Sequence, residues 1–349
     1  MDEHPFLADW RAGQLQFTLH TSGSTGTPKP INLTRAQMEA SARLTGQTFG
    51  LQTGDKALVC LNTGYVAGVM MLVRGEVLGL ELTIVEPSAN PLGTFDPAST
   101  RFDFAAFVPL QLQTMLTDLD QHGEPVALPI LSRMKAMLIG GAATSPALEE
   151  ALQVIEAPVY STYGMTETVS HIAIRRLNGT QRTDLFTVLP GVDVGVDERG
   201  CLHITAAASN FERIQTNDVV ELVTPESPTG QVRFQLLGRA DSIINTGGVK
   251  VQPESVERAI DTQLTVWGLT ARLFVAGLPD ERLGQRVVLF LEDTELTETQ
   301  WATIQQSVRE SVGPYAVPKS LYNVPVFTET ATGKVDRKRI VAPYIQDMA

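Results

Sequence analysis

Between His20 and Pro30 the chain reads HTSGSTGTPKP, which packs two glycines, two prolines, two serines, three threonines and one lysine into eleven residues. Hydroxyls, a lysine and glycine amides unobstructed by a Cβ form the donor set that a phosphate needs. The alternative chemistry is that of a surface turn, in which Gly and Pro punctuate the backbone while Ser and Thr satisfy it. A Walker A loop is excluded, because that motif needs G-x-x-x-x-G-K-[ST] and here Pro28 precedes Lys29 and Pro30 follows it.

Further along lies YGMTETVSH, Tyr163 to His171. Thr166 and Glu167 follow an apolar run, so they place a hydroxyl and a carboxylate where α/β sheets bind ligands. Thr166 suits a phosphate oxygen, and Glu167 is the hard oxygen ligand that Mg²⁺ accepts beside one. The competing assignment is a helix start with Thr as N-cap and Glu favouring the dipole. Asp218, in QTNDVVEL, is either a turn former or a carboxylate that accepts the two hydroxyls of a ribose. Arg239 and Asp241 fall in a connection. Lys334 follows Gly333 and precedes the basic residues Arg337, Lys338 and Arg339. That run is either a solvated tail or a loop lysine able to neutralise charge developing at a phosphate.

The elements that must position these groups are legible as patterns. In QLQFTLH, Leu15, Phe17 and Leu19 alternate with polar residues as in a half-buried strand. In NLTRAQMEASARL, Thr34 and Gln37 have capping-box spacing, and Leu33, Met38, Ala42 and Thr45 follow a helical stripe. The expected order is therefore strand, hydroxyl-rich loop, helix. KALVCL, LTIVEP, FDFAAFVP, MKAMLIGG and PVYST read as buried strands, with LQLQTMLTDL and SPALEEAL as helices between them. This alternation predicts α/β layering around a mostly parallel sheet. GVDVGVDERGCLHIT reads as a hairpin and QVRFQLLG as a further strand, a β-rich appendix to the first domain.

After Gly238 the pattern changes to a glycine pair, Gly247-Gly248, a helix opened by Pro253, and alternating strands and helices. The expected architecture is a large N-terminal α/β domain over 1–238 and a small mobile C-terminal α+β domain over 239–349. A formal net charge of −12 disfavours nucleic-acid and anionic-membrane partners, which need clustered Lys and Arg. Cys60 and Cys201 stand alone in strand-like stretches and read as small core residues. The apolar run YVAGVMMLVRGEVLG is broken by Arg74 and Glu76, too soon for a membrane span. The N-terminus lacks the apolar core of a signal peptide, so a cytoplasmic enzyme is expected.

Taken in order, TSGSTGTPKP, YSTYGMTETVSH, QTNDVVEL, GRADSIINTGGVKVQPESVE and TATGKVDRKR resemble the successive core motifs of the adenylate-forming enzymes, the superfamily of acyl-CoA synthetases, luciferases and peptide-synthetase adenylation domains. Within it, the compact chain and its LIGGAATSPAL stretch resemble the o-succinylbenzoate–CoA ligases of menaquinone biosynthesis. The resemblance implies ATP, Mg²⁺ and coenzyme A as co-substrates and a small carboxylic acid as substrate. It implies that Thr21, Ser22, Gly23, Ser24, Thr25, Gly26 and Lys29 hold the β- and γ-phosphates. Thr166 would contact the α-phosphate and Glu167 the Mg²⁺. Tyr163, Gly164, Gly140 and Gly141 would line the adenine and acyl pockets, and Asp218 with Arg239 would hold the ribose. Asp241 would be the hinge, Lys334 the adenylation lysine, and Gly247, Gly248, Val249 and Lys250 the loop facing the site during thioesterification.

Three departures qualify the resemblance. Lys29 is followed by Pro30 rather than glycine, and LNTGYVAG replaces an aromatic-histidine motif, which leaves Tyr65 or Asn62 to supply part of the acyl site. About 20 residues precede the first motif, so a wall of the CoA or acyl site is expected to be exposed or rebuilt. An acid with an aromatic body and two carboxylates would want apolar walls and a polar or cationic anchor, with Ser170 and His171 as candidates. Two other functions fit the same motifs: a ligase for another aryl or short-chain acid, and a non-catalytic sensor of nucleotide or acyl-adenylate. Glu167 and Lys334 together speak against the sensor, which needs neither.

Overall fold

The computed structural model describes residues 4–20, 30–223, 230–330 and 335–346. The chain opens with helix α1 (Pro5–Arg11), then strands β1 (Gln16–His20) and β2 (Pro30–Thr34) pair antiparallel, with His20 opposite Pro30. The hydroxyl-rich stretch therefore connects two arms of a hairpin, and the expected order of strand, loop and helix is corrected. Helix α2 (Arg35–Phe49) begins only after β2, and its first turn is already capped. Gln37 N donates to Thr34 Oγ1 at 3.2 Å while Thr34 N donates to Gln37 Oε1 at 2.8 Å, so both ends of the predicted capping box are made. Leu15 lies ahead of the strand and is 70% exposed, whereas Phe17 and Leu19 are buried. Phe17 owes its burial to Phe6 and Trp10, whose rings lie 5.0 and 5.4 Å away.

The next elements are β3 (Lys56–Val59), α3 (Val66–Leu78), β4 (Glu81–Ile84), β5 (Phe104–Phe107), α4 (Pro109–Thr117), α5 (Leu128–Leu131), β6 (Ala136–Ile139), α6 (Pro146–Ala151) and β7 (Val159–Gly164). Then follow β8 (His171–Arg176), β9 (Phe186–Val188), β10 (Asp193–Val196), β11 (Cys201–Thr205), β12 (Ile214–Val223) and β13 (Arg233–Arg239). All but the opening hairpin join one sheet of 11 strands, ordered β10-β11-β12-β13-β9-β8-β7-β6-β5-β3-β4. Pairing is parallel from β4 through β7 and antiparallel from β8 to β10. The sheet is thus about half parallel rather than mostly so, and the β-rich part is continuous with it. The cause is the short return after β7, which leaves no room for a crossover helix and turns β8 back beside its predecessor. LTIVEP, expected to be buried, is instead the edge strand β4, with Ile84 45% exposed.

Helix α3 is buried from Gly68 through Gly75 all round its axis, which explains its near-continuous apolar sequence. Cys60 and Cys201 are buried and unpaired. Among the described residues no helix is long and apolar enough to cross a membrane.

The C-terminal part contains β14 (Ile244–Thr246), β15 (Val249–Val251), α7 (Pro253–Val266), β16 (Leu273–Asp280), β17 (Gly284–Glu292), α8 (Glu298–Ser311), β18 (Ser320–Val324) and α9 (Arg337–Gln346). Its 5-stranded sheet runs β15-β14-β17-β16, with β18 added parallel to β17. Gly247 and Gly248 have φ of 58° and 81° between paired Thr246 and Val249, the two left-handed residues that a tight hairpin demands. One sheet face packs Val256, Ile260 and Leu264 of α7 on Ile304 and Val308 of α8, and the other packs Phe274, Phe290 and Phe327 on Ile340 of α9. The basic run beyond Lys334 is no free tail: Arg337 pairs with Glu257 at 2.7 Å, fixing α9 to α7.

Candidate active site

The parallel strands deliver their carboxyl ends to one edge. There β6 ends before Gly140, whose N–H donates to Phe107 O at 3.2 Å, and Thr162 Oγ1 donates to Ile139 O at 3.0 Å. Gly140 and Gly141 therefore lie beside the end of β7, which carries Tyr163 and Gly164. Helix α6, following the glycine pair, is held to β8 by Glu149, which accepts from Arg175 at 2.5 Å and from Arg182 at 3.3 Å.

From Gly164 the chain makes a closed loop back to His171, its register partner. A Cβ on residue 164 would lie 2.2 Å from Ser170 O and 2.7 Å from His171 Cα, so only glycine permits this approach. Thr166–Thr168 form a single 3₁₀ turn, not the start of an α-helix, and the capping assignment for Thr166 is corrected. Thr168 is the residue that ties the turn: its Oγ1 accepts from Met165 N at 3.0 Å and lies 2.9 Å from Ser170 O. Val169 then adopts φ 64° and ψ −50°, while Ser170 N donates to Thr168 O at 2.7 Å. This is a γ-turn of the rare positive-φ hand, strained for a β-branched residue and tolerated because Val169 is fully buried. The result is a rigid loop presenting Thr166, buried, and Glu167, half-buried.

Asp218 is not a turn residue; it sits within β12, directly across from Arg239 at the end of β13. Tyr163 Oη donates to Asp218 Oδ2 at 2.6 Å, and Arg239 Nη1 donates to Asp218 Oδ1 at 3.2 Å. The same guanidinium grips Asp241 through Nε at 2.9 Å and Nη2 at 2.8 Å. Burial, then the Asp218 charge, pushes the Tyr163 phenol up, so it remains a donor. The Arg239 bond holds the Asp241 carboxyl below its ordinary range. One network thus joins Tyr163, Asp218, Arg239 and Asp241.

Thr21, Ser22, Gly23, Ser24, Thr25, Gly26, Lys29 and Lys334 lie outside the described residues. Tyr65 caps the start of α3 and is half-buried, whereas the Asn62 side chain accepts from Gly64 N at 2.8 Å within its own turn. Gly247, Gly248, Val249 and Lys250 belong to the C-terminal hairpin.

Sequence reasoning passed over Arg74, read only as a break in an apolar run. Its side chain is 2% exposed. Nε donates to Thr45 Oγ1 at 3.3 Å, Nη2 to Ser170 Oγ at 2.8 Å and Nη1 to Met71 Sδ at 3.4 Å. Every one of these partners is neutral. Burial lowers the guanidinium to about 10, still charged at neutral pH. Burial, followed by the Arg74 charge, lowers His171 to about 3. His171 is therefore a neutral, enclosed imidazole, and the cation beside Ser170 is Arg74. The available signal was a single arginine inside the otherwise apolar buried stretch of α3 from Gly68 through Gly75.

Residues 4–201, more than half the chain, match the AMP-binding enzyme family, and 270–334 match the AMP-binding enzyme C-terminal domain. The chain belongs to the AMP-binding enzyme family. By that membership it is an AMP-forming acid–CoA ligase, a class that works with ATP, magnesium and coenzyme A. This AMP-binding enzyme is 30% identical over 336 residues to a probable 2-succinylbenzoate–CoA ligase of Mycobacterium tuberculosis, covering 92% of this chain and 82% of the relative. It is 42% identical to an acyl-CoA synthetase (AMP-forming)/AMP-acid ligase II-like protein from Dyadobacter fermentans, with TM-score 0.61 and coverage of 97% and 92%. The o-succinylbenzoate CoA synthetase of Bacillus subtilis, solved with ATP and magnesium ion, shares the fold at TM-score 0.72 and 18% identity, over 92% of this chain and 69% of that one.

Proposed function

We propose that this AMP-binding enzyme is an o-succinylbenzoate–CoA ligase serving menaquinone biosynthesis in the cytoplasm. One carboxylate of the acid attacks the α-phosphorus of ATP and pyrophosphate leaves; the thiol of coenzyme A then attacks the acyl-adenylate and AMP leaves. The nucleophile is already anionic, so positioning and charge neutralisation carry the reaction and no general base is needed.

The observation that carries the substrate assignment is Arg74. An arginine has five N–H donors. Three are engaged with neutral groups, which leaves two without a partner among the described residues. A buried cation in this state is stabilised by a carboxylate supplied from outside. Its neighbour Ser170 closes the loop that presents Thr166, so an acid with two carboxylates can place one at each end of that loop. Phe49, whose ring lies 6.1 Å from His171, and Tyr160, 5.2 Å from Phe49, add aromatic surface for the body of such an acid. The names of the curated relatives point the same way.

The remaining assignments follow the order of motifs. Residues 21–26 and Lys29 hold the β- and γ-phosphates, and Thr166 the α-phosphate. Glu167, a half-buried carboxylate with no hydrogen-bond partner among the described residues, fits Mg²⁺, which would neutralise phosphate charge there. Asp218 accepts the ribose hydroxyls, with Tyr163 and Arg239 orienting it. Division after residue 238 makes Asp241 the hinge about which Lys334 is presented for adenylation and the Gly247–Lys250 hairpin for thioesterification.

The test is pyrophosphate release with MgATP across a panel of carboxylic acids including o-succinylbenzoate, with and without coenzyme A. The expected result is release dependent on o-succinylbenzoate, with AMP and the matching thioester formed when coenzyme A is added. Release with a monocarboxylic acid in preference to o-succinylbenzoate would overturn the substrate, and no release with any acid would favour the sensor.

A further inference from the structure

The Arg74 guanidinium is held by a closed circuit of side chains drawn from three elements. An arginine only donates, so Thr45 Oγ1 and Ser170 Oγ must both accept from it. The Thr45 proton goes to Ser41 O, one turn back in α2, at 3.0 Å. The other lone pair of Thr45 Oγ1 is then open to His171 Nε2, 3.5 Å away. The Ser170 proton has His171 Nδ1 as its acceptor at 3.3 Å. Assigned from this network, the imidazole carries its hydrogen on Nε2 and bridges the two hydroxyls that hold the guanidinium. Thr45 and His171 are 1% and 7% exposed, so water does not compete for these bonds.

We propose that Thr45 and His171 are positioning residues that fix the plane of the Arg74 fork, so that its free N–H pair faces the second carboxylate of the acid. This rests on the substrate assignment made above. Neither residue touches the reacting atoms, so each acts on selection of the acid rather than on the chemical step. A planar fork gains from a carboxylate only when both N–H···O bonds align, and loosening it loses roughly one charge-assisted hydrogen bond, on the order of tenfold in affinity.

The experiment compares wild type, Thr45→Val, Thr45→Ser, His171→Asn and Arg74→Met as full-length proteins. Each is assayed with o-succinylbenzoate and with 4-oxo-4-phenylbutanoate, the same skeleton without the ring carboxylate. Thr45→Val keeps the volume and removes the hydroxyl. It is expected to raise KM for o-succinylbenzoate roughly tenfold with kcat within about twofold, to leave KM for the monoacid unchanged, and to be rescued by Thr45→Ser. His171→Asn provides a second route to the same split should Thr45→Val fail to fold. Equal effects on both acids, or none on either in folded protein, would overturn the positioning role. Should Arg74→Met leave the ratio of the two acids intact, the substrate assignment fails and positioning with it. Loss of the ratio in Arg74→Met but not in folded Thr45→Val or His171→Asn overturns positioning alone.

Discussion

Replacing Arg74 by methionine should leave the enzyme at least as stable and make it less selective. In the folded protein burial lowers the guanidinium from its ordinary value to about 10. That is a cost to the charged form of about 3 kcal/mol, at about 1.4 kcal/mol per unit. Because the folded value lies below the unfolded one, the cost is fully present below pH 10 and disappears only above the ordinary arginine value, so it applies in full at pH 7. Methionine fills much of the same volume without charge. Thr45 and Ser170 keep Ser41 O and His171 Nδ1 as acceptors, so their protons are not orphaned by the change. Subtracting the three hydrogen bonds that Arg74 makes, at about 0.5–1 kcal/mol each, leaves a net gain of about 0–1.5 kcal/mol, in the neutral-to-stabilising range seen when buried charges are replaced by apolar groups. The assay is thermal melting, where each kcal/mol moves Tm by roughly 2–4 °C. A hundredfold excess of o-succinylbenzoate over Kd should stabilise the wild type by about 2.7 kcal/mol and raise its Tm, and should stabilise the variant less at the same concentration. A variant that melts several degrees below wild type would refute the reasoning, since it would mean that Arg74 is a net structural contributor.

Three further outcomes are expected. His171 is held near pKa 3 against 6.5 when exposed, so the unfolded chain binds a proton that the folded one does not; stability is full above pH 6.5 and falls by about 1.4 kcal/mol per unit as pH drops toward 3. Acid melts of His171→Asn should show a shallower slope, and identical slopes would show that this histidine does not carry the dependence. Gly164→Ala puts a Cβ 2.2 Å from Ser170 O, so the Thr166–Glu167 loop must move; single-turnover pyrophosphate release should drop by roughly 10², and an unchanged rate would contradict the loop geometry. Lys334→Ala should slow adenylation by roughly 10²–10³ while sparing thioesterification of supplied acyl-adenylate, and equal loss of both half-reactions would remove its assigned role.

Much of the fold was legible because it depends on local rules. The capping box at Thr34, the helix opened by Pro253 and the apolar runs of the parallel strands each follow from a few neighbouring residues. Leu15 and the edge strand at Glu81–Ile84 were misplaced because burial depends on what lies alongside, and alternation carries no information about an absent neighbour. The half-antiparallel sheet was missed for a related reason: it hangs on the tight return at Val169, whose strained backbone no propensity announces.

The candidate site divides along the same line. The sequence by itself determined the chemistry available, because the order of hydroxyl-rich loop, Thr-Glu pair, isolated aspartate and loop lysine is a list of functional groups that needs no coordinates. Only the tertiary structure decided which groups meet. Asp218 becomes a shared acceptor of Tyr163 and Arg239 through strand pairing across β12 and β13. Arg74 becomes a buried cation, and His171 a neutral bridge, because α2, α3 and the start of β8 converge from positions as far as 126 residues apart. Charge state and donor capacity in a protein interior are set by desolvation and by partners, and both are properties of the packed whole that no local stretch of sequence contains.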